Sequence, residues 1–164
     1  TEEFIMGAEL VDGLELFVVC SRSYSKGKAL AEKFGAPRVF IDLYDLARCG
    51  DVEAVYVASP NSLHYEQCKL LLGAGKHVIC EKPVALSVED FDDMVAAAKK
   101  NGVFFTVHQN RRWDPDFIAV KKPIEENLID KKVLVTQDKV LLELLIIEVV
   151  ELYLVLLQET ILLK

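Results

Sequence analysis

The feature that most constrains this fold is a regular alternation of short apolar runs and helix-like segments between residues 14 and 107. The apolar runs are continuous, as in Ala-Val-Tyr-Val-Ala at residues 54–58, and do not alternate with polar residues. Strands of this kind are buried on both faces and are typical of a parallel sheet with helices on both sides. The sequence therefore predicts a doubly wound α/β domain with right-handed crossovers.

The same pattern divides the region into strands and helices. Strands are predicted over residues 14–20, 38–41, 54–58, 77–80 and 103–107. Helices are predicted over residues 25–34, 42–49, 62–72 and 87–100, and over about 1–10 with Ile5, Met6 and Leu10 facing inward. Ser25, Asp42 and Ser87 stand where helix N-caps are expected, and Gly35 stands where a helix ends.

The helix over residues 87–100 has the clearest periodicity. Phe91, Met94, Val95 and Ala98 are spaced i, i+3, i+4 and i+7, so they share one face of the helix. Lys99 and Lys100 follow at the end where the helix dipole favours positive charge.

The character of the chain changes after residue 131. Residues 140–157 are almost wholly Leu, Ile, Val and Glu, which is long enough for a membrane span. Glu143, Glu148 and Glu151 argue against a span, because each acidic residue near the bilayer centre costs about 2.5–3.5 kcal/mol. A mostly buried helix, or several joined fragments, stays open for this segment, and residues 133–137 have the pattern of a strand.

Composition excludes some partners and indicates a compartment. The net charge is −7 and Lys and Arg form no stripe, so we expect no nucleic-acid partner. The cysteines at positions 20, 49, 68 and 80 match no zinc or disulfide spacing. We interpret them as reduced structural thiols, with those at 20 and 80 acting as small hydrophobes, and expect no metal site and a cytoplasmic location.

Polar clusters follow four of the predicted strands. They lie at residues 21–23, 59–62 with His64 one turn on, 81–83 and 108–113. Ligands of open parallel sheets bind beyond the carboxyl ends of the strands, so we expect these clusters to share one rim. The charges of Glu81 and Lys82 directly follow a buried strand, where they cost free energy unless they are paired or used.

Several of these segments together resemble one protein family. Ala-Ser-Pro-Asn-Ser-Leu-His at 58–64, Gly-Ala-Gly-Lys-His-Val at 73–78 and Cys-Glu-Lys-Pro at 80–83 are similar, in order and spacing, to the glucose-fructose oxidoreductase / inositol dehydrogenase / MocA family. Residues 110–117 resemble the segment by which that family leaves its nucleotide-binding domain. The resemblance covers roughly residues 1–130. It implies an NAD(P)-dependent dehydrogenase or reductase with a Rossmann-like first domain.

The resemblance also implies roles for single residues. Lys82 corresponds to the family's catalytic-site lysine, since an ammonium partly removed from water can donate to a developing alkoxide. A surface lysine is the alternative for Lys82, and a structural histidine at the helix start is the alternative for His64. Pro83 shapes a turn of unusual peptide geometry. The implied cofactor-binding residues are Ser21, Arg22, Ser59, Pro60, Asn61, His64, Glu81, Lys82, Pro83, Asn110 and Arg111.

Ser21 and Arg22 bear on the choice of cofactor. NAD enzymes of this fold usually place an acidic residue at the end of the strand that precedes them, where it binds the ribose 2′-hydroxyl. A hydroxyl and a guanidinium suit a 2′-phosphate instead. The hypothesis is therefore NADP, with NAD as the alternative.

Two departures from the family pattern affect function. The sequence has no G-x-G-x-x-G turn, because it starts in what should be the helix after that turn. Its histidines, His64, His77 and His108, all fall in the first domain, whereas the family's catalytic histidine lies in the second. We expect residues 1–112 to be an N-terminally incomplete nucleotide-binding domain. Residues 113–164 should be a linker helix and a remnant of the second, α+β domain.

Two functions follow from the resemblance. The first is hydride transfer between a nicotinamide and a C–OH carbon of a sugar, polyol or related cyclic alcohol. The alternative is a non-catalytic dinucleotide-binding sensor or regulator. The family also implies a small-molecule substrate and a homo-oligomer, dimeric or tetrameric, and we expect no membrane association.

Overall fold

The computed structural model describes residues 1–126 as an alternation of helices and parallel strands. The helices are α1 (Glu2–Ala8), α2 (Tyr24–Phe34), α3 (Leu43–Arg48), α4 (His64–Gly73), α5 (Val88–Asn101) and α6 (Pro115–Glu125). The strands are β1 (Val18–Cys20), β2 (Arg38–Phe40), β3 (Ala54–Val57), β4 (His77–Cys80) and β5 (Phe105–Val107). Two 3-10 turns precede α4 and α6, at Asn61–Leu63 and Asn110–Trp113.

All described strand pairs are parallel, which confirms the predicted α/β class. β1 pairs with β2, and β3, β4 and β5 pair in that order. The described strands thus form two sheets where the sequence predicted one. In each sheet neighbouring strands are consecutive in the chain, β1 beside β2 and β3 beside β4 beside β5, as in each half of a doubly wound fold.

The core lies where α4 packs against both α5 and β4. Fully buried side chains there are Leu71, Leu72, Val78 and Met94. Burying one such side chain contributes about 1.5–3 kcal/mol to stability. The predicted inward face of α5 is confirmed, since Met94, Val95 and Ala98 are buried.

Helix boundaries follow from their caps, with one correction. Asp42 and Ser87 accept hydrogen bonds from Tyr44 N and Asp90 N, as predicted. The N-cap of α2 is Ser23 and not Ser25, because Ser23 Oγ accepts from Lys26 N and the helix begins at Tyr24. Gly35 and Gly102 end α2 and α5 in the left-handed conformation, with φ of 73° and 66°.

Two expectations about burial are wrong. In α1 only Ile5 is buried, whereas Met6 and Leu10 are 59% and 87% exposed. The residue of α1 whose ring contacts the sheet is Phe4, which stacks on Tyr56 of β3 with a ring-centroid distance of 3.7 Å.

The cysteines are free thiols, as predicted, but they differ in burial. Cys20, at the end of β1, is exposed, so the expectation that it acts as a small hydrophobe is wrong. Cys68 and Cys80 are fully buried. A hydrogen bond with Cys68, and burial, raise the pKa of Cys80, which keeps it a protonated and unreactive thiol.

The chain divides into two compact units, and the first comprises Thr1–Gln109. The second unit begins at Asn110. The domain boundary predicted after residue 112 stays a prediction. Within residues 1–126, no helix is both long and apolar enough to cross a bilayer. The expectations for residues 133–137 and 140–157 lie outside the described residues.

Gly27 offers a test of the contact between α2 and β1–β2. A Cβ at this buried position would lie 3.0 Å from Val39 Cγ1 and 3.1 Å from Ser21 Cβ. Gly27→Ala should lower the free energy of unfolding by about 1–2 kcal/mol, since overpacking outweighs the gain in helix propensity. Urea denaturation followed by circular dichroism measures this. Gly7→Ala is the control, because nothing lies within 4 Å of a Cβ there. Equal stability of the two variants would contradict the close approach.

Candidate functional site

The parallel ladder continues one residue past the ends of β4 and β5. Glu81 N donates to Val57 O at 2.9 Å, and His108 N donates to Cys80 O at 2.8 Å. Because Val57 pairs with Cys80 and Cys80 with Val107, Glu81 and His108 come next to each other at the carboxyl edge of the sheet.

Glu81 is the centre of a hydrogen-bonded cluster at this edge, which we call the Glu81 cluster: Tyr56, Glu81 and His108. Tyr56 Oη donates to Glu81 Oε1. His108 Nδ1 lies 2.9 Å from the same oxygen. Lys82 N donates to the other carboxylate oxygen, Oε2, at 3.1 Å. Side chains two residues apart on a strand share a face, so the register puts all three cluster members on one face of the sheet.

The cluster keeps Glu81 ionised. Burial of this carboxyl acts to raise its pKa, but the hydrogen bonds from Tyr56, His108 and Lys82 N outweigh burial, so that the pKa is lowered. Burial and the hydrogen bond to Glu81 raise the pKa of Tyr56 far above its usual range. Tyr56 is therefore a stable donor and Glu81 a stable acceptor.

His64 joins the loops that follow β3 and β4. Its ring is fully buried, with Nδ1 2.9 Å from Pro83 O and Nε2 2.9 Å from Ser59 O. Both ring nitrogens are thus occupied by backbone carbonyls. This supports the structural alternative for His64, which positions the loops that carry the other predicted residues; direct contact with a cofactor stays a prediction.

Ser59 has an unusual side chain for this edge. Within the described residues, its hydroxyl oxygen is buried and has no hydrogen-bond partner. A buried polar atom without a partner costs about 1–3 kcal/mol. Ser59 Oγ is therefore a group that a bound molecule can satisfy.

The remaining predicted residues of this edge lie at the surface. Lys82, Pro83, Pro60 and Asn61 are exposed. The peptide bond between Lys82 and Pro83 is cis, which confirms the unusual peptide geometry. The partial desolvation expected of Lys82 is not provided by residues 1–126, because the residue is exposed.

Ser21 and Arg22 follow β1 in the other sheet. Ser21 N donates to Phe40 O at 2.9 Å, and Ser21 Oγ accepts from Ser23 N at 3.3 Å. The Arg22 guanidinium is exposed and has no hydrogen bond or ion pair with any described residue.

Asn110 and Arg111 belong to the second unit. Arg111 makes an ion pair with Asp114 at 3.7 Å, one turn along. Their predicted role toward a cofactor stays a prediction.

Two residues of the Glu81 cluster were missing from the sequence-based site. Tyr56 was interpreted only as part of a buried strand, and His108 only as one of several polar residues after a strand. The predicted strand ends at residue 58, and Tyr56 lies two residues before that end. Side chains two residues apart share a face of a strand, so this spacing could have identified Tyr56. His77 is structural, as expected, since its Nδ1 accepts from Phe104 N at 2.8 Å. In the described part of the chain, no group of three or more His, Cys, Asp or Glu side chains is placed to hold a metal ion.

Comparisons with known proteins identify the family and the fold. The model of an oxidoreductase family with an NAD-binding Rossmann fold matches residues 2–109. The chain is 37% identical over 126 residues to scyllo-inositol 2-dehydrogenase (NADP(+)) IolU of Bacillus subtilis, covering 77% of this chain and 38% of that protein. It is 35% identical over 131 residues to 1,5-anhydro-D-fructose reductase of Ensifer adhaerens, covering 80% of this chain and 39% of that protein.

A solved structure supports the fold. The crystal structure of an NAD-binding protein from Listeria innocua is 37% identical, with a TM-score of 0.72, over 78% of this chain and 37% of that one. The chain therefore spans less than two fifths of the length of each of these proteins.

Glu81→Gln tests the ionisation of the cluster. Because folding lowers the pKa of Glu81, the carboxylate stabilises the fold at pH values above its ordinary pKa of 4.5. This contribution is lost as the pH falls through the lowered pKa. The variant should unfold about 1–2 kcal/mol more easily at pH 7, because bonds to a charged acceptor are the stronger ones. The difference from wild type should shrink as the pH falls below 4.5.

Urea denaturation between pH 7 and pH 3 measures this difference. Glu9→Gln, at an exposed carboxylate after α1, is the control. A difference between wild type and Glu81→Gln that does not change with pH would show that folding leaves the pKa of Glu81 unshifted, and a difference that grows as the pH falls would show that folding raises it.

Proposed function

This chain belongs to the glucose-fructose oxidoreductase / inositol dehydrogenase / MocA family, and we propose that the protein containing it is an NAD(P)-dependent dehydrogenase or reductase. A hydride passes between the nicotinamide and a C–OH carbon of a sugar, polyol or related cyclic alcohol. The observation that carries the proposal is the position of the Glu81-Lys82-Pro83 segment at the carboxyl edge of a parallel sheet. The hydrogen bonds of the Glu81 side chain and the contact between His64 and Pro83 O hold it there. This is the edge where such sheets bind dinucleotides.

The residues present fit a dinucleotide. Ser59 Oγ is a buried hydroxyl that lacks a partner among the described residues, at the end of β3. Arg22 supplies an exposed guanidinium beside the Ser21 hydroxyl at the end of β1. When bound, a nicotinamide cofactor supplies the group that accepts or returns the hydride.

We propose NADP as the preferred cofactor. A guanidinium binds a phosphate with two parallel hydrogen bonds, and no acidic side chain stands at residues 21–23 to bind a ribose hydroxyl. The relative from Bacillus subtilis that is named for NADP supports this preference.

Lys82 is the proposed acid–base residue toward the substrate oxygen. Its backbone is fixed by Glu81 Oε2, while its side chain is exposed at the edge. This arrangement leaves the ammonium able to reach a substrate. We further propose a homo-oligomer, dimeric or tetrameric, and a cytoplasmic location, as the family resemblance implies.

The cofactor proposal is tested by Arg22→Ala. The variant should bind NADP at least tenfold more weakly, because it loses the guanidinium, and should bind NAD within twofold of wild type. Titration calorimetry on the complete protein measures both affinities. Arg48→Ala, which removes an exposed arginine at the end of α3, is the charge-matched control. Tighter binding of NAD than NADP by the wild type would overturn the preference.

The enzyme proposal is tested by a screen of sugars and polyols with both cofactors, followed by Lys82→Ala. Turnover of the best substrate should fall at least about 100-fold, as loss of a positioned acid–base group predicts, while cofactor affinity stays within threefold. Lys26→Ala, at an exposed lysine in α2, controls for loss of charge. Cofactor binding without turnover of any substrate would favour the sensor alternative.

A further inference from the structure

His108 has one ring nitrogen held and one left open. Nδ1 lies 2.9 Å from Glu81 Oε1, whereas Nε2 has no hydrogen-bond partner among residues 1–126. The side chain is 30% exposed, so part of the imidazole is open to solvent or to a ligand. The ring is also held by edge contacts with Phe4 and Tyr56, at centroid distances of 5.3 and 5.6 Å.

The state of Glu81 determines the tautomer of His108. A carboxylate that accepts from Tyr56 and Lys82 N, and whose pKa is lowered, is ionised and offers only acceptors. His108 Nδ1 must then carry a proton and donate it to Glu81. In the neutral ring the lone pair is consequently on Nε2, which faces away from the carboxylate.

We propose that Glu81 and His108 are an acid–base pair, in which Glu81 orients His108 and His108 Nε2 takes up the proton released on alcohol oxidation. This inference rests on the proposed function. When the substrate is oxidised, its C–H bond breaks and two electrons leave with the hydride to the nicotinamide. The O–H bond breaks, a C=O bond forms, and the proton passes through Lys82 to Nε2. Reduction runs the same steps in reverse.

The chemistry of the cluster assigns the proton to His108 and not to Glu81. Three donors already occupy the two oxygens of Glu81, and protonation would break at least one of these bonds. Protonation of Nε2 breaks none, and the resulting imidazolium forms an ion pair with Glu81. A carboxylate that orients a histidine and stabilises its charged form is an established way to build a general base.

The groups that act on this pair come from each element around it. β3 contributes Tyr56, whose raised pKa keeps it a donor, and the residue after β4 contributes Glu81. From α1, the charge of Glu3 acts on Tyr56, and the Phe4 ring covers the outer side of Tyr56 without adding charge. Among these groups, Glu81 is the one in hydrogen-bond contact with the His108 ring.

The test separates proton uptake from positioning by the substitution His108→Asn in the complete protein. An asparagine amide can still donate to Glu81 but cannot take up a proton. Oxidation of the substrate found in the screen should slow at least about 100-fold, and its rise with pH should flatten. NADP affinity should stay within threefold. His77→Asn, at the opposite end of β4, is the matched control and should change turnover less than twofold.

A second measurement does not depend on turnover. Nitrogen-15 NMR of histidine-labelled protein should show His108, identified by its loss in His108→Asn, as the Nδ1–H tautomer at neutral pH. Glu81→Gln should convert part of it to the Nε2–H form. An Nε2–H tautomer in the wild type would overturn the pair, whatever the activity.

The outcomes distinguish the two proposals. Full activity of His108→Asn, with the expected tautomer in the wild type, would reduce His108 to a positioning residue and overturn the inference while leaving the oxidoreductase intact. Failure of the wild type to bind NADP or NAD would overturn the proposed function, and the tautomer measurement would still decide whether the pair exists.

Discussion

The site depends on backbone hydrogen bonds that continue the parallel ladder one residue beyond the strands. These bonds run from Glu81 N to Val57 O and from His108 N to Cys80 O. They are the last bonds of the ladder before the loops begin. They set the spacing of the side chains, since partners on neighbouring strands are only about 4.8 Å apart. A one-residue slip of β5 would move His108 to the opposite face of the sheet and break its contact with Glu81.

The loops at both ends of the sheet are held by buried side chains that satisfy backbone carbonyls. His64 bridges Ser59 O and Pro83 O, and Lys76 Nζ donates to Cys49 O and Val52 O at 2.7 Å each. Buried loop carbonyls need such partners, because no neighbouring strand supplies a donor. The two residues act at opposite ends of the sheet: Lys76 fixes the chain entering β3, and His64 fixes the chain leaving it.

Most of the fold could be predicted from local pattern, and the failures have physical reasons. Continuous apolar runs located every strand, and the spacing from Phe91 to Ala98 identified the buried face of α5. The N-cap of α2 was misplaced because several serines stand together, and only the backbone direction decides which of them caps. The inward face of α1 was misjudged because a seven-residue helix carries too few turns for its periodicity to point to one face.

The candidate site was predicted in part for a similar reason. Position along the chain shows which residues follow a strand, and it brought Glu81, Lys82 and Ser59 to the edge. It does not show which side chains meet across strands, because this requires the register. Tyr56 lies inside β3, and nothing in the sequence indicated that its hydroxyl would have a specific partner. In the structure this hydroxyl donates a hydrogen bond to Glu81. His64 looked like a ligand-facing residue because neither its burial nor its two carbonyl partners can be deduced from spacing.

The two sheets divide the chemistry of the site between them. Residues 21–23 follow β1, and in the described chain no hydrogen bond joins them to the Glu81 cluster, which follows β3, β4 and β5. The first group offers a guanidinium and hydroxyls, to which we assign the proposed preference for a phosphate over a hydroxyl. The second offers an ionised carboxylate, a histidine and a lysine, to which we assign the proposed proton transfer. Because the groups share no partner, substitutions in the two should act additively on binding and catalysis. Cofactor preference can therefore change in such a fold without altering the residues that handle the substrate proton.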